Sequence, residues 1–217
     1  MYQPKFHPPF FIGIAGGTGS GKSLFAKMIT ECFPNRVLTI SHDLYYKDQG
    51  NVPLEDRKKA NMDVPEALDN KLLFRDLLTL KKGKGVELPD YDFVSHTRKK
   101  RGIWVESKNV IIVEGILTLS TKYLRDFFDL KIYIEVDPDL RLARRIIRDV
   151  KEKREETLEK SIDQYLSSAY PMYYRYVVPQ MKYADLVIPW NKMSHEAVET
   201  VSARIKDELE ERGVKLN

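Results

Sequence analysis

The sequence predicts an α/β protein in which a parallel sheet of about five strands is flanked by helices. Short apolar runs typical of buried strands alternate along the chain with longer amphipathic stretches typical of helices. The length of 217 residues, with 42% hydrophobic and 31% charged residues, suits one globular domain with a sizeable core. A glycine-rich segment stands between the first apolar run and the first amphipathic stretch. These three observations predict a single domain over residues 1–217.

The first strand, the glycine segment and the first helix form one unit. Phe10 to Ala15 is the apolar run, Leu24 to Cys32 is the helical stretch, and Gly-Gly-Thr-Gly-Ser-Gly-Lys-Ser lies between them. That segment fits the P-loop pattern, in which backbone N–H groups cradle phosphates, the lysine reaches the terminal phosphates and the serine ligates Mg²⁺. The sheet is therefore expected to be of the P-loop NTPase type. The candidate nucleotide-binding residues are Gly16, Gly17, Thr18, Gly19, Ser20, Gly21, Lys22, Ser23 and Leu24.

Further apolar runs are expected to complete the sheet, with helices as the crossover connections between parallel strands. The expected strands are Val37 to Ser41, Val110 to Glu114, Lys131 to Val136 and Leu186 to Pro189. The expected helices are Ala67 to Lys81, one closed by Leu124 to Phe128, Pro138 to Lys153, Leu158 to Tyr170 ending at Pro171, and His195 to Glu211 ending at Gly213.

Two segments are expected to project from this core. Residues from about 86 to 105 contain Pro89, several aromatic residues and Gly102, which favours an antiparallel flap. Residues from about 138 to 160 are expected to form a helical lid, because arginines recur there at spacings that share a helix face. Closure of the lid over a γ-phosphate would supply positive charge for phosphoryl transfer, whereas a solvated charged face is the alternative. These arginines are Arg141, Arg144, Arg145 and Arg148.

Two acids follow predicted strands, at the sheet edge where open α/β sheets bind ligands. Glu114 ends the run from Val110 and is a candidate to hold Mg²⁺ directly or through water, together with Ser23. Asp43 follows the second strand and is a candidate base for an acceptor hydroxyl, although an aspartate that caps a turn fits the same position. His42 beside it is expected to be structural.

The composition limits the classes of partner and the cell compartment that the sequence favours. The net charge of +4 suits anionic small molecules and falls short of the basic excess of a nucleic-acid binder. Arg98 to Arg101 is interpreted as a solvated hairpin tip, because no aromatic interleaving or second basic segment accompanies it. No apolar run is long enough to span a membrane. The lone cysteine, Cys32, excludes an internal disulfide and is expected as a reduced core residue of a cytoplasmic protein without a signal peptide.

Several segments, in order along nearly the whole chain, resemble the uridine kinase family (uridine/cytidine kinases). The Tyr-Asp-Phe-Val-Ser-His and Asp-x-x-Tyr-Lys-Asp segments are the most specific of them. Besides the P-loop they are Ser41 to Gln49, Asn61-Met62-Asp63, Pro89 to Arg98, Val113 to Leu117, Arg141 to Asp149, Gln164-Tyr165 and Tyr183-Ala184-Asp185.

The resemblance implies an enzyme that transfers the γ-phosphoryl group of ATP or GTP, with Mg²⁺, to the 5′-hydroxyl of uridine or cytidine. It implies that Asp43 is the base with Tyr46 nearby, and that Asp63 holds the ribose hydroxyls. It also implies a homotetramer. The remaining implied contacts are Tyr91, Phe93 and His96 with the pyrimidine, Arg145 and Gln164 with the nucleoside, and Arg148 and Lys153 with phosphates. Arg154 is a further candidate substrate contact.

The chain departs from the family pattern at three places. Val64 stands where the family has histidine before proline, and the lid is one residue longer, so Arg154 has no matched family arginine. Trp190-Asn191 replaces Arg-Gly, and Trp190 is expected to take the place of an arginine stack on the adenine side.

Other functions are weighed against this one. A related kinase for pantothenate, ribulose phosphate or nicotinamide riboside would share the architecture, and a substrate panel would separate these. A regulatory GTPase would read guanine with Asn-Lys-x-Asp, but Asn191-Lys192 is followed by Met193 and Ser194. A nucleic-acid-dependent ATPase fits poorly with the modest net charge.

Overall fold

The computed structural model of the chain describes residues 7–152 and 157–214. Its strands, in chain order, are β1 (Phe10–Gly16), β2 (Val37–Ser41), β3 (Val86–Leu88), β4 (Tyr91–Asp92), β5 (Thr97–Arg98), β6 (Ile103–Val105), β7 (Val110–Gly115), β8 (Leu130–Glu135) and β9 (Leu186–Pro189). Its α-helices are α1 (Lys22–Cys32), α2 (Leu54–Lys59), α3 (Asn70–Lys81), α4 (Lys122–Arg125), α5 (Pro138–Lys151), α6 (Leu158–Gln164), α7 (Tyr170–Met172) and α8 (His195–Glu211).

Five of these strands form one parallel sheet in the order β2-β7-β1-β8-β9. Strand β1 lies at the centre, with Phe10 opposite Val110 of β7 and Ile12 opposite Leu130 of β8. The parallel sheet predicted from the sequence is confirmed, and each of its strands lies within one residue of the expected bounds. Because all five strands run the same way, their carboxyl ends meet at one edge, where Gly16, Ser41 and Gly115 stand.

Apolar side chains cover both faces of the sheet. Phe10, Ile12 and Ile14 of β1 pack with Phe25 and Ile29 of α1 on one face. On the other face, alternate residues of β1 pack with α3 and α4. This alternation follows from the two-residue period of a strand, and burial on both faces explains why the strands read as continuous apolar runs.

The segment from residue 86 to 105 folds into two antiparallel pairs, β3 with β6 and β4 with β5. The antiparallel character predicted from the sequence is therefore confirmed. The turn between β4 and β5 holds His96 at φ 53°, in the left-handed region.

Helix α3 begins three residues later than the sequence predicts. The carboxylate of Asp69 accepts a hydrogen bond from the backbone N–H of Leu72 at 3.1 Å and so caps the helix at Asn70. The preceding Pro65–Ala67 forms a separate 3-10 turn. Helix α8 has the predicted bounds, and Gly213 follows it at φ +70°.

The prediction that a helix ends at Pro171 is wrong. The chain continues from α6 through a π-helical turn at Tyr165–Ala169, the short α7, a second π-helical turn at Tyr173–Val177 and a 3-10 helix at Val178–Tyr183. Pro171 lies between the two π-helical turns, whose hydrogen bonds reach five residues back and leave room for a residue without an N–H.

Cys32 is exposed, so its expected place in the core is also wrong. The buried face of α1 contains Phe25, Ala26 and Ile29, and Phe33 rather than Cys32 continues it. Over residues 7–152 and 157–214, no helix combines the length and apolar character needed to cross a membrane.

Candidate functional site

The glycine-rich loop leaves β1 at the carboxyl edge of the sheet and leads directly into α1. Gly19 and Gly21 have φ values of +75° and +84°, which side-chain-bearing residues rarely adopt. A Cβ atom on Gly19 would also lie 2.2 Å from the carbonyl oxygen of Arg141. The loop therefore needs glycine for both its turn and its packing, and its N–H groups and the α1 N-terminus together suit an anion.

Lys22, Ser23 and Glu114 cluster at the base of this loop. The Ser23 hydroxyl donates a 3.1 Å hydrogen bond to Glu114 Oε1 across neighbouring elements. Burial raises the pKa of the Glu114 carboxyl, and the nearby Lys22 ammonium opposes that rise. A hydroxyl and one carboxylate beside a phosphate cradle are the protein ligands that a phosphate-bound Mg²⁺ uses, so these residues fit that ion.

One cleft opens beside the loop along the carboxyl edge of the sheet. It brings together side chains from the loop, the β2 and β7 ends, the β4–β5 turn and helices α5 and α6. Its lining residues are Thr18, Lys22, Asp43, Tyr46, Met62, Asp63, Tyr91, Phe93, His96, Ile116, Arg145, Arg148, Asp149 and Gln164.

Most of the site residues predicted from the sequence line this cleft. Leu24, in the first turn of α1, has an exposed side chain, so only its backbone would face a bound phosphate. Lys153 and Arg154 lie outside the described residues. Met62, Ile116 and Asp149 line the cleft but were not predicted as site residues, although all three lie in segments that resemble the family.

Asp43 lies next to a buried histidine, His42, that is fixed by a hydrogen bond. It lies in the 3-10 helix His42–Tyr45 directly after β2. The Nε2 atom of the fully buried His42 is 2.8 Å from Asn70 Oδ1, and Asn70 in turn donates to the Thr121 hydroxyl at 3.1 Å. Burial lowers the pKa of His42, which keeps its ring neutral and structural. Asp43 Oδ1 is buried and accepts no hydrogen bond from the described residues.

Asp63 stands across the cleft as a second buried acid. The Ser168 hydroxyl lies 3.0 Å from Asp63 Oδ2. Burial raises the pKa of Asp63, and the guanidinium of Arg145 opposes the rise. The carboxylate of Asp43 acts in the same direction as burial, because like charges in one site disfavour the ionised form.

Aromatic rings form the wall between β4 and the Asp43 segment. The Tyr91 ring centroid is 5.5 Å from that of Tyr46 and 5.3 Å from that of Phe93. Burial raises the pKa of Tyr91 to about 12. Asp92 Oδ1 accepts a 2.9 Å hydrogen bond from the Val94 N–H and so closes the turn that presents Phe93 and His96.

The arginines of α5 do not share one task. Arg145 and Arg148 line the cleft, and both contact Asp149, with nearest nitrogen–oxygen distances of 3.3 and 2.8 Å. Arg145 also donates to Gln164 Oε1. Arg141 is buried, with its guanidinium 3.7 Å above the Tyr173 ring. Only Arg145 and Arg148 of the predicted face therefore reach the cleft.

Trp190 is not an exposed stacking surface, and that expectation is wrong. Its side chain is 2% exposed and packs edge-on against Phe25 at 5.2 Å. Arg144 donates instead to the backbone carbonyl groups of Trp190 and Asn191. The tryptophan supports α1 from within the core.

The basic run from Arg98 is only partly a solvated tip. Arg98 is the second residue of β5, and its side chain is 21% exposed. Its Nε donates to the carbonyl oxygen of Tyr46 at 2.9 Å. Lys99 pairs with Asp90 at 2.8 Å, whereas Lys100 and Arg101 are exposed. For Arg98 the solvated interpretation is wrong, because β5 lies directly on the Tyr46 segment.

The parallel sheet, the glycine cradle at its carboxyl edge and the acid-lined cleft beside it define a P-loop protein of the kinase class. Sequence comparison gives the family. The model of the Phosphoribulokinase / Uridine kinase family matches residues 11–198, and the chain belongs to that family.

Relatives match over nearly the whole chain. A protein named uridine kinase from Geobacillus kaustophilus is 44% identical over 207 residues, which cover 95% of this chain and 98% of the relative. Uridine kinase of Clostridium novyi is 45% identical, with coverage of 94% and 98%. Uridine kinase of Bacillus subtilis is 42% identical, with coverage of 95% and 98%.

Solved structures share the fold at low sequence identity. D-glycerate 3-kinase from Cryptococcus neoformans has a TM-score of 0.60 and 16% identity, covering 83% of each chain. Phosphoribulokinase from Rhodobacter spheroides has a TM-score of 0.59 and 16% identity, covering 84% of this chain and 70% of that one. At such identities the likeness supports the fold alone.

Proposed function

We propose that the chain is a uridine/cytidine kinase, a phosphotransferase with an alcohol acceptor. It transfers the γ-phosphoryl group of ATP or GTP to the 5′-hydroxyl of uridine or cytidine, giving UMP or CMP. The relatives named uridine kinase, 42–45% identical over 94% or more of the chain, support this substrate class.

The observation that carries the proposal is the shared cleft. Thr18 and Lys22 of the phosphate loop line the same cavity as the acids Asp43 and Asp63 and the Phe93 ring. A phosphate cradle suits a donor triphosphate, and an aromatic wall suits a nucleobase. Asp43, whose Oδ1 accepts no hydrogen bond from the described residues, suits an acceptor alcohol.

Asp43 is proposed as the general base. The 5′-oxygen forms a bond to the γ-phosphorus while the bond from that phosphorus to the β,γ-bridging oxygen breaks, and ADP or GDP leaves. The proton of the alcohol passes to the carboxylate of Asp43. An alcohol is far less acidic than a carboxylic acid, so the proton moves late, as the new bond to phosphorus forms.

Charge that develops on the transferred group is met by cations of the cleft. Lys22 approaches from the loop and Arg148 from α5, where Asp149 fixes its guanidinium and Thr18 Oγ1 lies 3.5 Å away. Ser23 and Glu114 would hold Mg²⁺, which when bound neutralises phosphate charge. Preorganised positive groups stabilise the transition state because they need no reorientation during the reaction.

The opposite end of the cleft is proposed to select the nucleoside. Asp63 would accept hydrogen bonds from the ribose diol, with Tyr46 beside it. Phe93 would stack on the pyrimidine, Tyr91 and His96 would contact its edge, and Arg145 with Gln164 would close the site. Asp63 is already buried next to Ser168, so little reorganisation is needed to bind a diol.

Further features remain predictions of the same proposal. The chain acts as a single kinase domain over residues 1–217, with a flap at about 86–105 and a lid at about 138–160 that close over bound substrates and exclude water. A phosphate contact by Lys153 and a substrate contact by Arg154 also remain predictions from the sequence. A homotetramer in the cytoplasm, without a nucleic-acid or membrane partner, completes the prediction.

A substrate panel tests the function. Purified protein with ATP and Mg²⁺ is given uridine, cytidine, adenosine, thymidine, pantothenate, ribulose 5-phosphate and nicotinamide riboside. We expect UMP and CMP, with phosphorus NMR showing coupling of phosphorus to the two 5′ protons. Phosphorylation of one of the other alcohols in preference to uridine and cytidine would overturn the proposal in favour of a related kinase. ATP hydrolysis stimulated by RNA or DNA, but not by uridine, would favour a nucleic-acid-dependent ATPase.

A further inference from the structure

We infer that Arg57 and Arg98 act as positioning residues that hold the β4–β5 turn against the segment that carries Asp43. We call these two side chains the arginine clasp. The inference rests on the proposed function, in which Phe93 and His96 of that turn contact the base and Asp43 accepts the proton. Neither arginine lines the cleft.

Arg98 joins β5 to the residues directly after Asp43. Its Nε donates to the carbonyl oxygen of Tyr46 at 2.9 Å, and its Nη2 donates to the carbonyl oxygen of Tyr45 at 3.2 Å. Its Nη1 lies 3.6 Å from Oδ2 of Asp69, the residue that caps α3. One planar guanidinium therefore links the turn, the Asp43 segment and the start of a core helix.

Arg57 secures the far side of the same turn. From α2 its Nη1 donates to the carbonyl oxygen of Ser95 at 3.0 Å, and its Nη2 donates to the carbonyl oxygen of Gly50 at 2.9 Å. Its Nε donates to the carbonyl oxygen of Val52. Arg57 thus ties the turn to the loop between Tyr46 and α2.

The turn's own hydrogen bonds give it a shape but not a location. Asp92 Oδ1 accepts from the N–H groups of Val94 and Ser95, and the hydroxyls of Ser95 and Thr97 lie 2.8 Å apart. All of these contacts lie within the turn. The β4–β5 pair is only two residues long on each side and is not part of the main sheet. Its position over the cleft therefore depends on contacts with the rest of the chain. The arginine clasp supplies three hydrogen bonds between the turn and other segments, one from Arg57 and two from Arg98. Two further hydrogen bonds hold Arg57 itself to the loop before α2.

Arginine suits this task better than lysine. Its guanidinium presents N–H donors in a rigid planar fork, so it can bind carbonyl groups in different directions at once. Lysine has a single charged nitrogen on a flexible stem. Replacement by lysine keeps the charge and is expected to lose most of the geometry.

The test compares Arg57→Ala and Arg98→Ala with Arg101→Ala, an exposed arginine of the same basic run. Both clasp variants should raise the KM for uridine on the order of tenfold to a hundredfold, the cost expected for a misplaced binding group. The KM for ATP should stay within about twofold, because the phosphate loop is not contacted by either arginine. Arg57→Lys and Arg98→Lys should recover little of the loss, and Arg101→Ala should match the wild type.

A second readout does not depend on activity. Amide hydrogen exchange over residues 93–97 should quicken in both clasp variants and stay unchanged over residues 16–24. An equal rise in both KM values together with faster exchange throughout the chain would overturn the inference, because it would indicate general destabilisation. Unchanged exchange over residues 93–97 with an unchanged KM for uridine would overturn it as well. If the wild type phosphorylates no nucleoside, the proposed function fails, and the exchange experiment still decides the clasp.

Discussion

The two ends of the cleft are built in different ways. At the phosphate end, consecutive residues from Gly16 to Ser23 provide the cradle through backbone geometry, with Glu114 as the distant partner. At the nucleoside end, the side chains come from separate segments, and Ser168 reaches Asp63 from 105 positions away. The phosphate end is thus a local structure, whereas the nucleoside end exists only when the whole chain has folded.

This difference has a consequence for how each end responds to substitution. Changes in the cradle act on groups that contact the triphosphate, and they should affect every acceptor alike. Changes at the nucleoside end should weaken recognition of the nucleoside and leave binding of the triphosphate unchanged. Four substitutions, taken from the largest expected effect to the smallest, test this separation.

Of these four substitutions, Lys22→Ala should have the largest effect. Removing the cation at the base of the loop should lower kcat by roughly 10²–10³, the loss typical for one electrostatic group in the transition state. The loss should be equal for uridine and cytidine, and calorimetry should show uridine binding unchanged. Lys27→Ala, an exposed lysine of the same helix, is the control and should keep full activity. A loss that differs strongly between the two nucleosides would contradict the claim that the phosphate end and the nucleoside end act separately.

Gly19→Ala should damage the cradle through its backbone. The new Cβ would meet the carbonyl oxygen of Arg141 at 2.2 Å, in a residue whose φ is +75°. Strain of this kind costs about 1–3 kcal/mol of stability, and the KM for ATP should rise while that for uridine stays constant. Gly213→Ala is the matched control, because its φ is +70° but a Cβ there would meet no described atom within 4 Å. It should lower the melting temperature slightly and leave both KM values unchanged.

Phe93→Ala should affect the nucleoside end alone. Stacking of a base on an aromatic ring is worth about 1–3 kcal/mol, so the KM for uridine should rise about tenfold at constant KM for ATP. Val94→Ala, which changes the exposed neighbour, should have no effect. If Phe93→Ala instead lowers kcat and leaves the KM for uridine untouched, Phe93 does not stack on the base.

The pH dependence of uridine binding should report Asp63. Burial places its pKa above the usual 3.8, so the carboxyl begins to take up a proton at a higher pH than an exposed aspartate does. The charged form accepts the stronger hydrogen bonds from the ribose, and the KM for uridine should therefore rise by a few-fold as the pH falls through this raised pKa. Asp63→Asn should show a high KM that no longer varies over that range. Asp163→Asn, at an exposed position, should retain the wild-type profile.

The difference between the phosphate end and the nucleoside end also explains what the sequence could predict. The cradle and the sheet strands follow from local patterns, because glycines at fixed positions and continuous apolar runs determine them without distant partners. Asp43 in the cleft and Glu114 at the base of the loop followed from one further rule, that parallel strands end at a common edge. These predictions needed no knowledge of which side chains meet.

Two of the misassigned residues, Arg98 and Trp190, depend on distant contacts. Arg98 reads as part of a solvated basic run, and only the packing of β5 on the Tyr46 segment shows that it is an anchor. Trp190 fits an exposed stack by position, but the place beside Phe25 buries it. Pro171 is a helix breaker in isolation, yet the π-helical turns on either side carry the chain through it.

The central claim is that Asp43 takes the proton from a sugar hydroxyl aimed at the phosphate held by the loop. Steady-state kinetics of Asp43→Asn, with calorimetric dissociation constants for uridine and for a non-hydrolysable ATP analogue, tests it most directly. The account predicts a fall in kcat of about 10²–10⁴, the range for loss of a general base, with both dissociation constants within about threefold of the wild type. Full turnover by Asp43→Asn, with both ligands bound normally, would contradict it.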